Sequence, residues 1–78
     1  MKKRNSYDIK ADILNVAYSK RGALITNLVY LANLNFKIIK PYINELIELG
    51  YMRLNINRYE ITDLGFTYLN AYQALTHV

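Results

Sequence analysis

Apolar residues recur at helical spacing through the first two thirds of the chain, and short polar segments divide them into three patterns. The first pattern predicts a helix over residues 7–19, with Asn5 or Ser6 as its N-cap. Gly22 ends this pattern after a basic pair of residues. The expected buried face repeats at helical spacing and consists of Ile9, Ile13, Val16 and Ala17.

The second and third patterns are separated only by a short Asn-Leu-Asn turn. The second helix is expected over residues 24–32, with Leu28 and Val29 in the core. Asn35 is a suitable N-cap for the third helix, which continues until Gly50 supplies a C-terminal stop. Two helices joined by so short a turn are typical of a helix-turn-helix. The apolar positions of the third helix are Ile39, Tyr42, Ile43, Leu46 and Ile47.

Pro41 is the one residue that disagrees with the third helical pattern. Proline lacks the backbone donor of an interior helical position, and its ring meets the carbonyl one turn earlier. We therefore expect Pro41 to bend or loosen the first turns of this helix, at a cost of about 3 kcal/mol if nothing adapts.

The pattern after Gly50 changes to short segments rich in aromatic and β-branched residues. Residues 51–54 and 58–61, separated by Asn-Ile-Asn, predict a β-hairpin, since Asn tolerates the positive φ of tight turns. Thr62 is the expected cap of a last helix that runs from Asp63 to about Leu75, with Tyr68, Leu69 and Tyr72 facing inward. The predicted fold class is mainly α: three helices, a two-stranded hairpin and a C-terminal helix.

Composition limits the chain to one small domain, residues 1–78, in which residues 1–5 are expected to form a flexible basic tail. Ten Lys and Arg against six Asp and Glu give a net charge of +4, which favours polyanionic partners. The absence of cysteine excludes disulfides and thiolate metal sites. Neither a signal peptide nor a bilayer-spanning stretch is evident, so a cytoplasmic location without membrane partners is expected.

Two short segments give the chain a family resemblance. They are the Ala32-Asn33-Leu34 turn and the junction that runs from Tyr59 through Thr62 to Gly65. With Gly22-Ala23, Thr26, Tyr30, Tyr42-Ile43, Leu46 and Leu49, they resemble the small archaeal winged helix-turn-helix DNA-binding proteins. The resemblance includes the dimeric 10-kilodalton chromatin-associated type and related regulators of archaeal viruses. It implies double-stranded DNA as the partner, with the third helix in the major groove and the hairpin, or wing, on the adjacent minor groove.

The resemblance points to three groups of candidate DNA-contacting residues. Lys37 and Lys40 suit phosphates or guanine edges, Asn44 suits adenine, and Ile38 suits a thymine methyl group. A solvated lysine face, and a Phe36 that merely packs beneath the turn, remain the alternatives. Lys2, Lys3 and Arg4 provide a possible phosphate-binding arm or simply solubility. The candidates are Thr26 and Asn27 in helix two, Asn35, Phe36, Lys37, Ile38, Lys40 and Asn44 around helix three, and Arg53, Asn57 and Arg58 in the hairpin.

Several apolar residues stand where the family usually has polar ones, which predicts an exposed apolar patch of Leu24, Ile25, Leu31, Leu64 and Phe66. Exposed patches on small domains generally mark partner surfaces. We expect a homodimer through the last helix, with or without helix one. Its expected contacts are Leu64, Phe66, Ala71 and Leu75. The alternative is that these residues only fill a small core.

Catalytic patterns are absent from the sequence. His77 is penultimate, Glu45 and Glu48 have no third ligand nearby, and no serine has a base partner. No enzyme activity, metal, cofactor or small-molecule substrate is therefore expected. The expected function is sequence-specific transcriptional regulation, in the host cytoplasm if the protein is viral. The alternatives are an architectural chromatin protein that binds DNA non-specifically and a winged helix used for protein association.

Overall fold

The computed structural model describes residues 4–76 as four helices and one antiparallel hairpin. The order matches the sequence prediction: three helices, the hairpin and a C-terminal helix. The elements are α1 (Ser6–Ser19), α2 (Ile25–Leu31), α3 (Phe36–Glu48), β1 (Met52–Asn55), β2 (Arg58–Ile61) and α4 (Asp63–Thr76).

Helix α1 is the centre of the fold, because it packs against α2, α3, α4 and β2. A capping box starts the helix: the Asn5 side chain accepts from the backbone N–H of Asp8 at 2.8 Å, and the Asp8 carboxylate accepts from the N–H of Asn5 at 3.3 Å. The predicted face of Ile9, Ile13, Val16 and Ala17 is buried, as are Ala11 and Leu14, which the helical pattern missed.

Helices α2 and α3 form the predicted helix-turn-helix. Asn33 adopts φ 57° directly after α2, which is the left-handed geometry that ends many helices. The Asn35 side chain then accepts from the backbone N–H of Ile38 at 2.8 Å, so it is the N-cap of α3, as predicted. The turn is therefore fixed by backbone geometry on one side and by a side-chain cap on the other.

Pro41 does not interrupt α3, which continues from Phe36 to Glu48. The expectation of loosened first turns is therefore wrong. The missing N–H removes only the bond to the Lys37 carbonyl, and Pro41 itself is exposed. The preceding turn is closed independently, because Asn35 binds the N–H of Ile38 with its side chain and that of Ile39 with its carbonyl, at 3.0 Å.

The hairpin is the predicted one, with Met52 opposite Ile61 and Asn55 opposite Arg58. Ala23 extends it on one side, because its N–H and carbonyl both bond to the backbone of Tyr59. The turn differs from expectation in one respect. The residue with positive φ is Ile56, at 60°, rather than an asparagine. A β-branched side chain in this region is strained by about 1–2 kcal/mol.

The junction between hairpin and α4 is built around Thr62. Its hydroxyl accepts from the N–H of Gly65 at 3.1 Å and donates to the carbonyl of Gly50 at 2.5 Å, so Thr62 caps α4 as predicted. Its own N–H donates to the carbonyl of Tyr51 at 3.0 Å. Leu69 is buried on the inward face of α4, and Tyr68 and Tyr72 are half-buried beside it.

The core lies between α1, the helix-turn-helix and the hairpin. Its largest fully buried side chains are Ile13, Leu14, Leu28, Ile39, Ile43, Leu46 and Met52. No charged side chain is buried among the described residues, and every buried polar side-chain atom there has a hydrogen-bond partner. The polar and charged groups are therefore left to the surface, where α3 and the hairpin present them.

Candidate nucleic-acid interface

The outer face of α3 carries the first set of candidate residues. Because the helix advances 100° per residue, positions 37, 41, 44 and 48 share the face opposite the buried Ile39, Ile43 and Leu46. Lys37 and Asn44 are exposed there, and neither makes a hydrogen bond or ion pair with the rest of residues 4–76. Both side chains are available to an outside partner.

Lys40 and Phe36 lie together on the flank of α3 that is nearer to α2. The Lys40 ammonium sits 5.8 Å from the centre of the Phe36 ring, within cation–π range. Phe36 remains exposed and, with Ile25, Val29 and Tyr30, lines an apolar groove of about 310 Å³. Ile38 is exposed on the opposite flank. Phe36 therefore both orients a lysine and faces solvent, and the structure does not bury it beneath the turn.

The C-terminal half of α3 carries two carboxylates, and one of them is paired with a lysine of α1. The Lys10 ammonium pairs with the Glu45 carboxylate, and Lys10 also lies 5.8 Å from the Tyr7 ring centre. The hydrogen bond to Glu45 raises the pKa of Lys10 against a smaller opposing effect of burial. Only Glu48 is left as an unpaired carboxylate on α3, at its last residue. The exposed N-terminal half of α3 is therefore positively charged.

The side chains of Asn27 and Asn35 both bind backbone groups of the protein. The sequence predicted such a role for Asn35 alone. The Asn27 side chain accepts from the backbone N–H of Leu24 at 3.0 Å, which satisfies one donor at the start of α2. Asn35 caps α3. Both side-chain oxygens are thus occupied, whereas Thr26 is exposed and makes no such bond. Of these three candidates, Thr26 is the freest to contact a ligand.

The arginines of the hairpin are turned back on the protein. Arg53 donates to Glu60 at 2.8 Å, and this hydrogen bond, with a weaker one from Asn55, lowers the pKa of the Glu60 carboxyl. Arg58 donates to the carbonyl of Gly22 at 2.9 Å. Asn57 is exposed at the turn without a partner among the described residues. Both arginine side chains are therefore directed to partners within the protein, and only the charge of Arg53 is compensated by a carboxylate.

Arg4, which the sequence analysis placed in the basic tail, contacts the end of α2 and the side of α1. Its guanidinium donates to the carbonyls of Ala32 at 2.7 Å and Asn33 at 2.9 Å, and pairs with Asp12 at 2.9 Å. It thereby satisfies carbonyls at the end of α2, where a positive charge also suits the helix dipole. No signal in the sequence indicated this role. Lys2 and Lys3 lie outside the described residues, as does His77.

The arrangement of α2, a tight turn, an exposed basic α3 and a hairpin can be compared with known proteins. A family model described as winged helix-turn-helix matches residues 3–78. The chain belongs to the winged helix-turn-helix family. An uncharacterized protein of Methanocaldococcus jannaschii is 34% identical over 64 residues, which are 81% of this chain and 64% of that protein. The crystal structure of Sso10a-2, a DNA-binding protein from Sulfolobus solfataricus, superposes with a TM-score of 0.80 at 24% identity, covering 95% of this chain and 80% of that one.

Family membership confirms the resemblance to small archaeal winged helix-turn-helix proteins, so α2 and α3 are the helix-turn-helix and the hairpin is the wing. The predicted apolar patch is only partly exposed. Leu31, Leu64 and Phe66 face solvent, whereas Leu24 and Ile25 are half-buried, since Ile25 packs against the core. Tyr30, at 82% exposure, is the more prominent apolar residue of α2 and was not part of the predicted patch.

The four expected dimer contacts do not share one face of α4. Leu64, Ala71 and Leu75 fall with Tyr68 on a single stripe at spacings of four, three and four residues. Phe66 lies on the other side, where its ring is 5.2 Å from that of Tyr18 in α1. The stripe borders a groove of about 450 Å³ between α4 and the start of α1.

Residues 4–76 contain neither a cluster of metal ligands nor a membrane-spanning helix. No group of His, Asp and Glu side chains in that part of the chain is arranged to hold a metal ion. Each helix described there is too short or too polar to span a bilayer.

Proposed function

We propose that this protein binds double-stranded DNA, with the N-terminal half of α3 in the major groove. The observation that carries the proposal is the exposed basic half of a recognition helix, where Lys37 has no partner and Lys40 is held only by an aromatic ring. Lysines placed in this way suit phosphates and guanine edges. The DNA-binding protein Sso10a-2 has the same fold, which supports this assignment.

We infer that the protein acts as a sequence-specific transcriptional regulator. Asn44 and Ile38 are exposed beside Lys37 and are suited to an adenine edge and a thymine methyl group. The net charge of +4 is modest, Arg53 is ion-paired with Glu60, and Arg58 is directed to the carbonyl of Gly22, so the wing is poorly placed for strong non-specific binding to phosphates. Selective contacts through α3 are therefore favoured over bulk compaction.

The test is a titration with a random duplex and with a duplex selected for binding. Wild type should prefer the selected duplex by at least about a thousandfold. The double variant Lys37→Ala, Lys40→Ala should lose most of the affinity for both. A matched control, Lys20→Ala with Arg21→Ala, removes the same two charges from the exposed α1–α2 loop and should bind nearly as wild type. Equal affinity for both duplexes would favour an architectural role, and no binding would refute DNA recognition.

We also propose that two copies pair through the Leu64, Tyr68, Ala71 and Leu75 stripe of α4. Its four-three-four spacing is that of the a and d positions of a helix pair, and Leu75 is 78% exposed. Sedimentation of Leu75→Glu should give the monomer mass. Phe66→Glu, off the stripe, is the matched control and should remain a dimer. Monomeric wild type, or dissociation only in Phe66→Glu, would refute this interface.

A further inference from the structure

The wing tip has an unusual residue in an unusual conformation. Ile56 is the first of the two residues that connect β1 and β2, and its φ of 60° is one that β-branched side chains rarely adopt. Its side chain is 92% exposed, the highest value among the large apolar residues described. Neither packing nor backbone preference accounts for isoleucine at this position, because Gly or Asn would adopt the same turn without the strain.

The surroundings of Ile56 restrict what the tip can bind. Arg53 is paired with Glu60, and the Arg58 guanidinium donates to the carbonyl of Gly22, so both arginine side chains are directed to partners within the protein and away from the tip. Its neighbours Asn55 and Asn57 are polar and exposed. One apolar side chain between two amides is too small a patch for a protein partner. The Ile56 side chain is, however, small enough to enter a narrow groove with apolar walls.

The fold places this tip beside the end of α2 that faces DNA in a helix-turn-helix complex. Ala23 bonds to Tyr59 through two backbone hydrogen bonds of 2.9 and 2.7 Å, one residue before the cap of α2. Arg58, next to the turn, reaches the carbonyl of Gly22. The wing is thereby fixed to the helix-turn-helix, and Ile56 projects from a rigid base.

We propose that Ile56 is an apolar wedge that enters the minor groove next to the site read by α3 and partly unstacks one base step. The inference rests on the proposed DNA binding and adds a residue and a mode of recognition to it. The minor groove is about 6 Å wide, and apolar side chains inserted there kink the duplex toward the major groove. Pyrimidine–purine steps such as TA unstack most readily, so the wedge favours such a step at a fixed distance from the α3 site.

The test uses end-labelled duplexes of the sequence selected by wild type, with 2-aminopurine at the candidate step. Wild type should bend the duplex, measured by energy transfer between its ends, and raise 2-aminopurine fluorescence. Ile56→Asn should bind roughly fivefold to tenfold more weakly and leave the duplex straight. Its salt dependence should be unchanged, because no charge is removed. Ile56→Leu should retain the bend, and Leu54→Asn, which removes an exposed apolar side chain from the same hairpin, should behave as wild type.

Thermal unfolding separates function from structure in these variants. Ile56→Asn and Ile56→Gly should unfold at the same or a higher temperature than wild type, because both relieve the strained φ. A lower midpoint in both would mean that Ile56 serves the fold, which overturns the proposal. If the Ile56→Asn variant bent the duplex as wild type does, the wedge would be overturned. DNA binding through α3 would still stand if the Lys37→Ala, Lys40→Ala variant bound weakly. A wild-type protein that binds no duplex would overturn both.

Discussion

Gly65, in the first turn of α4, lies against Tyr51, which connects α3 to β1. Replacing Gly65 with alanine is the sharpest test of how the wing is held. A Cβ at this position would be 2.0 Å from the carbonyl oxygen of Tyr51 and 2.9 Å from a side-chain carbon of Ile61. The same Tyr51 carbonyl accepts the Thr62 N–H at 3.0 Å. The methyl group would therefore meet backbone atoms that are already fixed by a hydrogen bond.

The cost of Gly65→Ala can be worked from these distances. An ordinary contact is about 3.5 Å, so α4 and Tyr51 would separate by roughly 1.5 Å. Overpacking of this kind costs about 1–3 kcal/mol. The separation also weakens the Thr62 bond, about 1 kcal/mol, and the stacked pair of Tyr51 and Tyr68 rings, about 1 kcal/mol. Alanine returns up to about 1 kcal/mol of helix propensity. The net loss is about 2–4 kcal/mol, a large part of a small domain's stability.

Denaturant unfolding followed by circular dichroism measures this loss directly. Gly50→Ala is the matched control, because its nearest contact is an ordinary 3.7 Å and its penalty comes only from a φ of 81°. That penalty should be about 1–2 kcal/mol. If Gly65→Ala unfolds within about 0.5 kcal/mol of wild type, or costs less than Gly50→Ala, the close approach of α4 to Tyr51 is not a constraint on the fold.

Three further substitutions test other contacts. Arg4→Ala should lower the free energy of unfolding by about 1–2 kcal/mol. Arg4→Lys lacks the guanidinium fork and should recover less than half of that loss. If Arg4→Ala left the free energy of unfolding unchanged, the Arg4 side chain would not stabilise the turn after α2. Asn35→Ala should cost about 1 kcal/mol through the lost cap of α3, and equal stability would show that the cap contributes nothing. Wild-type stability should fall as pH rises above the ordinary lysine pKa of 10.5, because the pKa of Lys10 is raised in the folded state and its contribution is lost as it deprotonates. The Lys10→Met variant should lack that part of the fall in stability at alkaline pH. It should keep the part due to Tyr68, whose pKa is raised by burial. The same dependence of stability on pH in wild type and Lys10→Met would contradict the role of the ion pair.

The sequence predicted the elements that depend on local patterns. Helical spacing located α1 and α3, and Asn35 and Thr62 marked two helix starts, because capping is read within a few residues of the chain. The hairpin followed from its aromatic and β-branched residues and its Asn-Ile-Asn turn. Pro41 misled the prediction, since propensity gave its cost without showing that the neighbouring turn is closed by Asn35.

The parts of the candidate site that escaped prediction depend on contacts distant in sequence. Arg4 reaches carbonyls 28 and 29 residues away, and Arg58 reaches one 36 residues away. Nothing local distinguishes such an arginine from one that faces DNA. Lys37 was predictable as a free charge only because its face is opposite the core of α3. Ile56 carried a visible signal, an isoleucine between two turn residues, but its strain required the backbone angle.

The dependence of DNA affinity on salt tests the central claim most directly. Each phosphate neutralised by a lysine contributes about 0.9 to the slope of the logarithm of affinity against the logarithm of salt concentration. If Lys37 and Lys40 contact DNA, their double alanine variant should bind more weakly than wild type and have a slope smaller by about 1–2. Lys20→Ala with Arg21→Ala, of equal net charge, should keep the wild-type slope. Equal slopes for wild type and the Lys37, Lys40 variant, or an equal loss in the control, would contradict recognition of DNA through α3.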